Sequence, residues 1–256
     1  NTLEGARREL QRLDDLRQRA LAIPEAGLEP EQRITRAMLI NELSKGLSTI
    51  RAGLWEWSVD PLGGPQVEFP TMAHLQKVAT RADADAMVLR WHRMAHYLDA
   101  QAEHLRRSLA AGKVATHDAT TRVVRQLEEL NQTPTEDWTL LRPAKEARPT
   151  WSESDRDRFA QGLRRAIESS IRPAFERYMK CVRDEILPHT RPQDRVGLKD
   201  VPGGDDAYRE LIRVHTSLDL SAKEIHEFGL EEVARVRGEM QSLGDRALGA
   251  KNLPDF

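Results

Sequence analysis

From Asp83 to Leu109 the apolar residues Ala84, Met87, Trp91, Met94, Leu98, Ala102, Leu105 and Leu109 step by three or four without interruption. That spacing places all of them on one face of an α-helix, and no strand could bury them together, because strand side chains alternate with a period of two. A helix of this length with one continuous apolar stripe needs other helices to cover it. The fold class that follows is all-α, a multi-helix bundle, with any strand content limited to a few residues near Val67 to Phe69. The same stripe predicts that His92, His96 and His104 point away from the main core.

The remaining segments repeat the pattern between turn signals. Thr2 is placed to cap a first helix with Leu3, Leu10, Leu13, Leu16 and Ala20 on one side, ending at Ile23-Pro24. Pro30 opens a second helix carrying Ile34, Met38, Leu43, Leu47, Ile50 and Leu54. The short turn between the two predicts an antiparallel pair. Gly112 ends the long helix, Thr116 can cap the next, and Val123, Leu127 and Leu130 face inward. The stretch from Asn131 to Trp151 holds Pro134, Pro143 and Pro149 and reads as short turns over the surface. Ser152 or Ser154 then caps a long helix interrupted by Pro173, where a kink is expected. No composition shift marks a domain boundary, so residues 1–256 read as a single helical domain. Asn1 opens directly into a helix and Leu253-Pro254-Asp255-Phe256 is a loop, so a piece of a longer chain is expected.

Composition sets outer limits on function. Hydrophobic residues make up 39% and charged residues 31%, ordinary for a folded helical protein. With 39 basic and 41 acidic side chains the net charge is −2, which gives no electrostatic footprint for nucleic acid. No apolar run approaches the roughly 20 residues that span a bilayer. The single cysteine, Cys181, cannot form an internal disulfide. Nucleotide-binding glycine loops, a Gly-x-Ser-x-Gly elbow and Cys-x-x-Cys pairs are all missing.

The densest set of specific signals runs from Gly197 to Met240. The Val201-Pro202-Gly203-Gly204 turn cannot continue a helix, so a short one starts at Asp205 or Asp206 and stops near Ser217 to Asp219. Ser221-Ala222-Lys223-Glu224 matches a capping box. A long helix follows with the stripe Ile225, Gly229, Val233, Val236, Met240, Leu243 and Ala247. The turn folds the short helix back on the long one, which predicts that Tyr208 and His226 lie near each other on a concave side.

In this region the order Val201, Pro202, Gly204, Tyr208, Arg209, Thr216, Glu224, Ile225, His226, Gly229, Leu230, Val233, Arg235, Glu239 and Met240 resembles the middle of the bacterial domain-of-unknown-function 885 family. Trp55 and Trp57 ahead of Asp60-Pro61-Leu62-Gly63-Gly64-Pro65 resemble that family's aromatic-then-glycine segment; they are read either as packing anchors or as substrate-facing residues. Gly112, Thr116, Val123, Val124, Gln126 and Leu127 match it too. The resemblance implies a zinc-peptidase-like protein with the N-terminal helical half of a gluzincin-like fold, as in angiotensin-converting enzyme. It also implies that the catalytic signature, a His-Glu pair followed by Pro-Gly-His-His, belongs downstream of this span.

His226-Glu227 does not supply that signature. Four residues after His226 stands Leu230, so no second imidazole shares its face, and zinc sites of this class need histidines at i and i+4. His92 and His96 have the i, i+4 spacing but enclose Arg93 rather than an acid. The expectation is therefore no catalytic residue and no metal ligand in this span, with zinc held by the complete protein. Tyr208, His226, Trp55 and Trp57 are the substrate-cleft candidates. The expected partners are the chain's own C-terminal catalytic half and a peptide substrate, in an extracytoplasmic rather than cytoplasmic location. The rival reading is a non-catalytic helical scaffold that binds a protein partner.

Overall fold

The computed structural model describes residues 2–249; the loop expected at Leu253 to Phe256 lies outside them. Its helices are α1 (Leu3–Leu21), α2 (Pro30–Ala52), α3 (Pro65–Leu75), α4 (Arg81–Ala110), α5 (His117–Gln132), α6 (Arg142–Lys145), α7 (Glu153–Ala166), α8 (Arg172–Lys180), α9 (Gly204–Thr216) and α10 (Ala222–Leu248). Among the described residues there is no strand, only an isolated bridge between Thr116 and Arg191. Val67 to Phe69, the one place where strand residues were expected, lie inside α3. Pro65 at the first helical position is pre-set for a helix start, and that local signal decides the segment. The molecule is an all-α multi-helix bundle whose packing divides into two compact units, residues 1–9 with 53–204, and residues 10–52 with 205–256.

The first unit is built around α4. Met87, Trp91, Leu98 and Leu105 of its stripe are buried, packed with Leu127 of α5, Leu163 of α7 and Phe175 of α8 in one core. Trp91 is fully enclosed and donates its indole N–H to the Leu140 carbonyl at 3.0 Å. Truncating such a tryptophan to alanine costs about 3–5 kcal/mol. Thr80 caps α4 through a complete capping box with Asp83. Where Pro173 was expected to kink a long helix, the irregularity is a π-helical turn, Ile167–Ile171, placed just before it. A wider turn at that point accommodates a residue that has no N–H to return to the preceding turn. A second π turn, Cys181–Ile186, follows α8, and burial pushes the Cys181 thiol up to about 11.

Two expectations for this unit are overturned. The Asn131 to Trp151 stretch is not a surface loop, because Trp138, Leu140, Leu141 and Trp151 are buried in the core. Its short turns bond part of their own backbone, and two arginines, Arg148 within the stretch and Arg172 from α8, bond further carbonyls, which permits the burial. Arg172 donates to the Asn131 and Thr133 carbonyls at 2.6 and 2.8 Å, with its guanidinium 4.7 Å from the Trp138 ring centre. Arg148 donates to the Val78, Pro143 and Glu146 carbonyls and lies 5.2 Å from both Trp151 and Phe159. His104, expected to face away from the core, is 2% exposed. The 3₁₀ turn Leu54–Glu56 covers that side of α4, and Trp55 meets the His104 ring edge-on at 5.0 Å.

In the second unit α1 and α2 form an antiparallel pair, with Arg36 donating to the Ala20 and Leu21 carbonyls at 3.1 and 3.0 Å and so closing the C-terminus of α1. Near the other end a side chain at Gly46 would come within 3.1 Å of Leu13. Leu43, Leu47 and Ala52 are buried, but Ile34 and Met38 of the same predicted stripe are more than 60% exposed. Of the α10 stripe Ile225 is half-buried, while Val233, Val236, Met240 and Leu243 are between 41% and 61% exposed; Phe228 and Leu230, outside the stripe on the same helix, are 62% and 58% exposed. Periodicity identifies the apolar face of a helix; it does not say that anything covers it.

Candidate functional site

The elbow between α9 and α10 holds the family-like residues, and each part of it has a local cause. Gly203 takes a φ of 74°, a conformation that suits glycine. Gly204 opens α9 where a Cβ would stand 1.7 Å from the Leu198 carbonyl oxygen. α9 ends at Thr216, whose hydroxyl accepts from the Leu218 amide at 3.1 Å, and Ser217 turns the chain with a φ of 61°. Ser221 then caps α10: its hydroxyl accepts from the Glu224 amide, and the Glu224 carboxylate accepts from the Ser221 amide at 2.7 Å. Arg213 donates to Asp219 at 2.8 Å and ties the end of α9 to the linker; that bond is the main cause that raises the Arg213 pKa.

This elbow encloses a cleft of about 480 Å³. Tyr208 and Ile212 of α9 line it, facing Leu220, Ser221 and Glu224 at the start of α10. Tyr208 is half exposed, so its ring and hydroxyl are open to an incoming molecule. Arg209 also lines the cleft and is paired with Asp206 at 2.9 Å. His226 is exposed on α10 and does not line this cleft; no hydrogen bond or ring contact joins it to Tyr208 among the described residues. The arrangement brings together an aromatic wall, a hydroxyl, the Asp206-paired Arg209 and the Glu224 carboxylate engaged in the α10 cap.

The tryptophan candidates belong to the first unit. Trp55 is half-buried against His104, and Trp57 is buried, with the Arg191 guanidinium 5.6 Å from its ring centre. Arg191, Arg148, Arg172 and Arg36 are the residues that the sequence reading missed. For Arg148, Arg172 and Arg191 the usable signal was an arginine beside or within Pro-rich chain, where backbone carbonyls outnumber helical partners; Arg36, inside α2, carried no such signal.

Zinc was tested against the residues present. Among the described residues no three His, Cys, Asp or Glu side chains converge as a metal-binding group. His92 shares a 2.8 Å hydrogen bond between its Nδ1 and the Ser170 hydroxyl, while His96 is exposed. The donor set described here does not fit a zinc centre. Among the described residues no helix is long and apolar enough to cross a membrane.

Comparison with known proteins places this geometry in a wider fold. No curated protein matches the sequence. Among solved structures, the chain is similar to "the putative lipoprotein from Colwellia psychrerythraea", with a TM-score of 0.74 and 19% identity. The match covers 96% of this chain and 44% of that one, so the chain spans less than half the length of the structure it resembles. At this identity the likeness is one of fold. The family model described as "Bacterial protein of unknown function (DUF885)" matches residues 1–256, from end to end, and the chain belongs to that family.

Proposed function

We propose that this chain is the N-terminal, substrate-positioning half of a zinc-dependent, metallopeptidase-like hydrolase with a gluzincin-like fold, and that it is not catalytic by itself. The observation that carries the reading is the bare apolar face of α10, combined with a fold match that occupies under half of a longer protein. Six large side chains in water on one helix call for a covering surface. In this reading the occupant is the C-terminal catalytic half, which also supplies the zinc and the general base. Because the residues described do not fit zinc, no bond-breaking step is assigned to them. Their part is binding: the Tyr208 cleft holds a peptide segment by its aromatic wall and hydroxyl, which lowers the entropy cost of presenting the scissile bond. The structural relative's printed description as a lipoprotein supports an extracytoplasmic location.

The same uncovered face also suits the second reading, a helical scaffold that binds a protein partner. Peptide hydrolysis by the complete protein separates the two. With Tyr208→Phe in the complete protein, kcat/KM should fall by about tenfold or more while the melting temperature holds, and His226→Ala, outside the cleft, should leave both unchanged. If Tyr208→Phe lowers only the melting temperature, or the complete protein has no peptidase activity, the reading fails.

A further inference from the structure

A second cleft, within the first unit, has a composition that points to a ligand. It lies between α4 and α7 and measures about 320 Å³. Its floor is Gly162, where a Cβ would come 2.9 Å from a Val88 methyl, so the two helices meet closely there and leave no depth for a larger residue. Its apolar wall is Phe159 and Trp151, which meet at 6.0 Å and 64° and are braced from behind by Arg148.

The rim carries the charge. Arg158 and Arg165 both line the cleft, seven residues apart on α7, so they project from the same face with Gly162 between them. Neither has a salt bridge or a side-chain hydrogen bond among the described residues. The buried carboxylate nearby, Asp155, has its close partners elsewhere: the Ser152 hydroxyl donates to it and Arg81 pairs with it at 2.9 Å, while Arg158 acts on it only through its charge, which helps to lower the Asp155 pKa. Asp85 is the one other acid on the rim, set against two open guanidinium groups. Two planar forks without a hydrogen-bonded partner, beside the exposed edge of an aromatic wall, match a carboxylate attached to an apolar body.

We infer that this cleft binds small aromatic carboxylates, the carboxylate between Arg158 and Arg165 and the ring against Phe159, Trp151 and Gly162. The inference stands apart from the proposed peptidase role. Two sources share this chemistry, a free arylalkanoic acid and the C-terminus of a peptide ending in an aromatic residue.

The test is calorimetric titration of the protein with 3-phenylpropionate and with an N-acetylated dipeptide ending in phenylalanine, each beside its amide. The expected result is saturable binding of an acid at least tenfold tighter than its amide, weakened tenfold or more in Arg158→Ala/Arg165→Ala; whichever acid binds tighter names the source. Both arginines are exposed, so the double variant should fold, and a circular dichroism melt checks it. Equal binding of acid and amide, binding unchanged by the arginine variants, or no saturation overturns the inference.

Discussion

The guanidinium of Arg191 lies 5.6 Å from the ring centre of Trp57 while its nitrogens donate to the Val114, Arg195 and Gly197 carbonyls at 2.8 to 2.9 Å. One side chain thereby holds two stretches of irregular backbone against a buried aromatic. Its own backbone pairs with Ala115 and His117, forming the isolated bridge. Desolvation lowers the Arg191 pKa, opposed by the charge of Asp200. Arg148 and Arg172 repeat the device on Trp151 and Trp138. Carbonyls of turns and helix ends are bonded by a fork that also stacks, which is how a chain with several proline-rich segments keeps a dense core.

Removing that fork strands acceptors in a poorly hydrated place. Arg191→Ala should therefore destabilise the protein by about 3 kcal/mol, and Arg191→Lys should recover little, since an ammonium cannot reach three carbonyls and stack at once. Urea unfolding followed by circular dichroism checks this. A loss under about 0.5 kcal/mol for the alanine variant would mean that water replaces the fork.

The adjoining glycines should respond differently to the same change. Gly203→Ala meets open space and suffers only from its positive φ, a cost of about 1–2 kcal/mol. Gly204→Ala drives a methyl into the Leu198 carbonyl, backbone that cannot swing aside, and should cost several times more or prevent folding. Parallel thermal melts of the two variants give the order, and equal melting temperatures would contradict the turn geometry.

The helical architecture was readable because α4 keeps an unbroken apolar period and Ser152 sits where α7 needs a cap; the Thr80 cap of α4, just ahead of the stretch that begins at Asp83, carried no apolar signal to reveal it. Burial was less readable. His104 and the Trp138 to Leu141 segment are enclosed by chain that lacks any helical period, so no periodicity rule reaches them. The candidate site was legible in part. Tyr208 lines a cleft because the Val-Pro-Gly-Gly turn and the Ser221 cap place it there, two signals visible in the sequence. The arginine pair on α7 was invisible, since Arg158 and Arg165 look like any other solvated charges until α4 is packed beside them.

The two complete capping boxes give a pair of variants with distinct readouts. α4 is part of the core, so Thr80→Ala should lower global stability by about 1 kcal/mol. α10 buries only Gly244 among its described side chains, so Ser221→Ala should show mainly as faster amide exchange in the first turn of α10. The Thr80 amide, the Thr80 hydroxyl and the Ala79 amide, in that order, hold the Asp83 carboxyl below its ordinary value of 3.8. A depressed folded pKa stabilises fully above the unfolded value, and that contribution is lost as pH falls through the folded one. The difference between wild type and Thr80→Ala should accordingly shrink below pH 3.8, and a gap that widens with acid would contradict the capping role.

The face of α10 yields a prediction about this chain as it stands. Val233, Val236 and Met240 are 41% to 53% exposed, so replacing Val233 and Met240 by lysine removes no fully buried side chain among the described residues. The double variant should melt within about 0.5 kcal/mol of the parent and bind less of an apolar fluorescent dye. Metal analysis after dialysis against dilute zinc should find well under one zinc per chain in both, because no three suitable ligands converge among the described residues. In the complete protein the same lysines would have to be buried against the covering half, at a cost of several kcal/mol for unpaired charge, and should there lower stability and activity together. Lysines tolerated equally in both chains would show that nothing covers this face, and one tightly held zinc per chain of residues 1–256 would return the metal chemistry to His92 and His96.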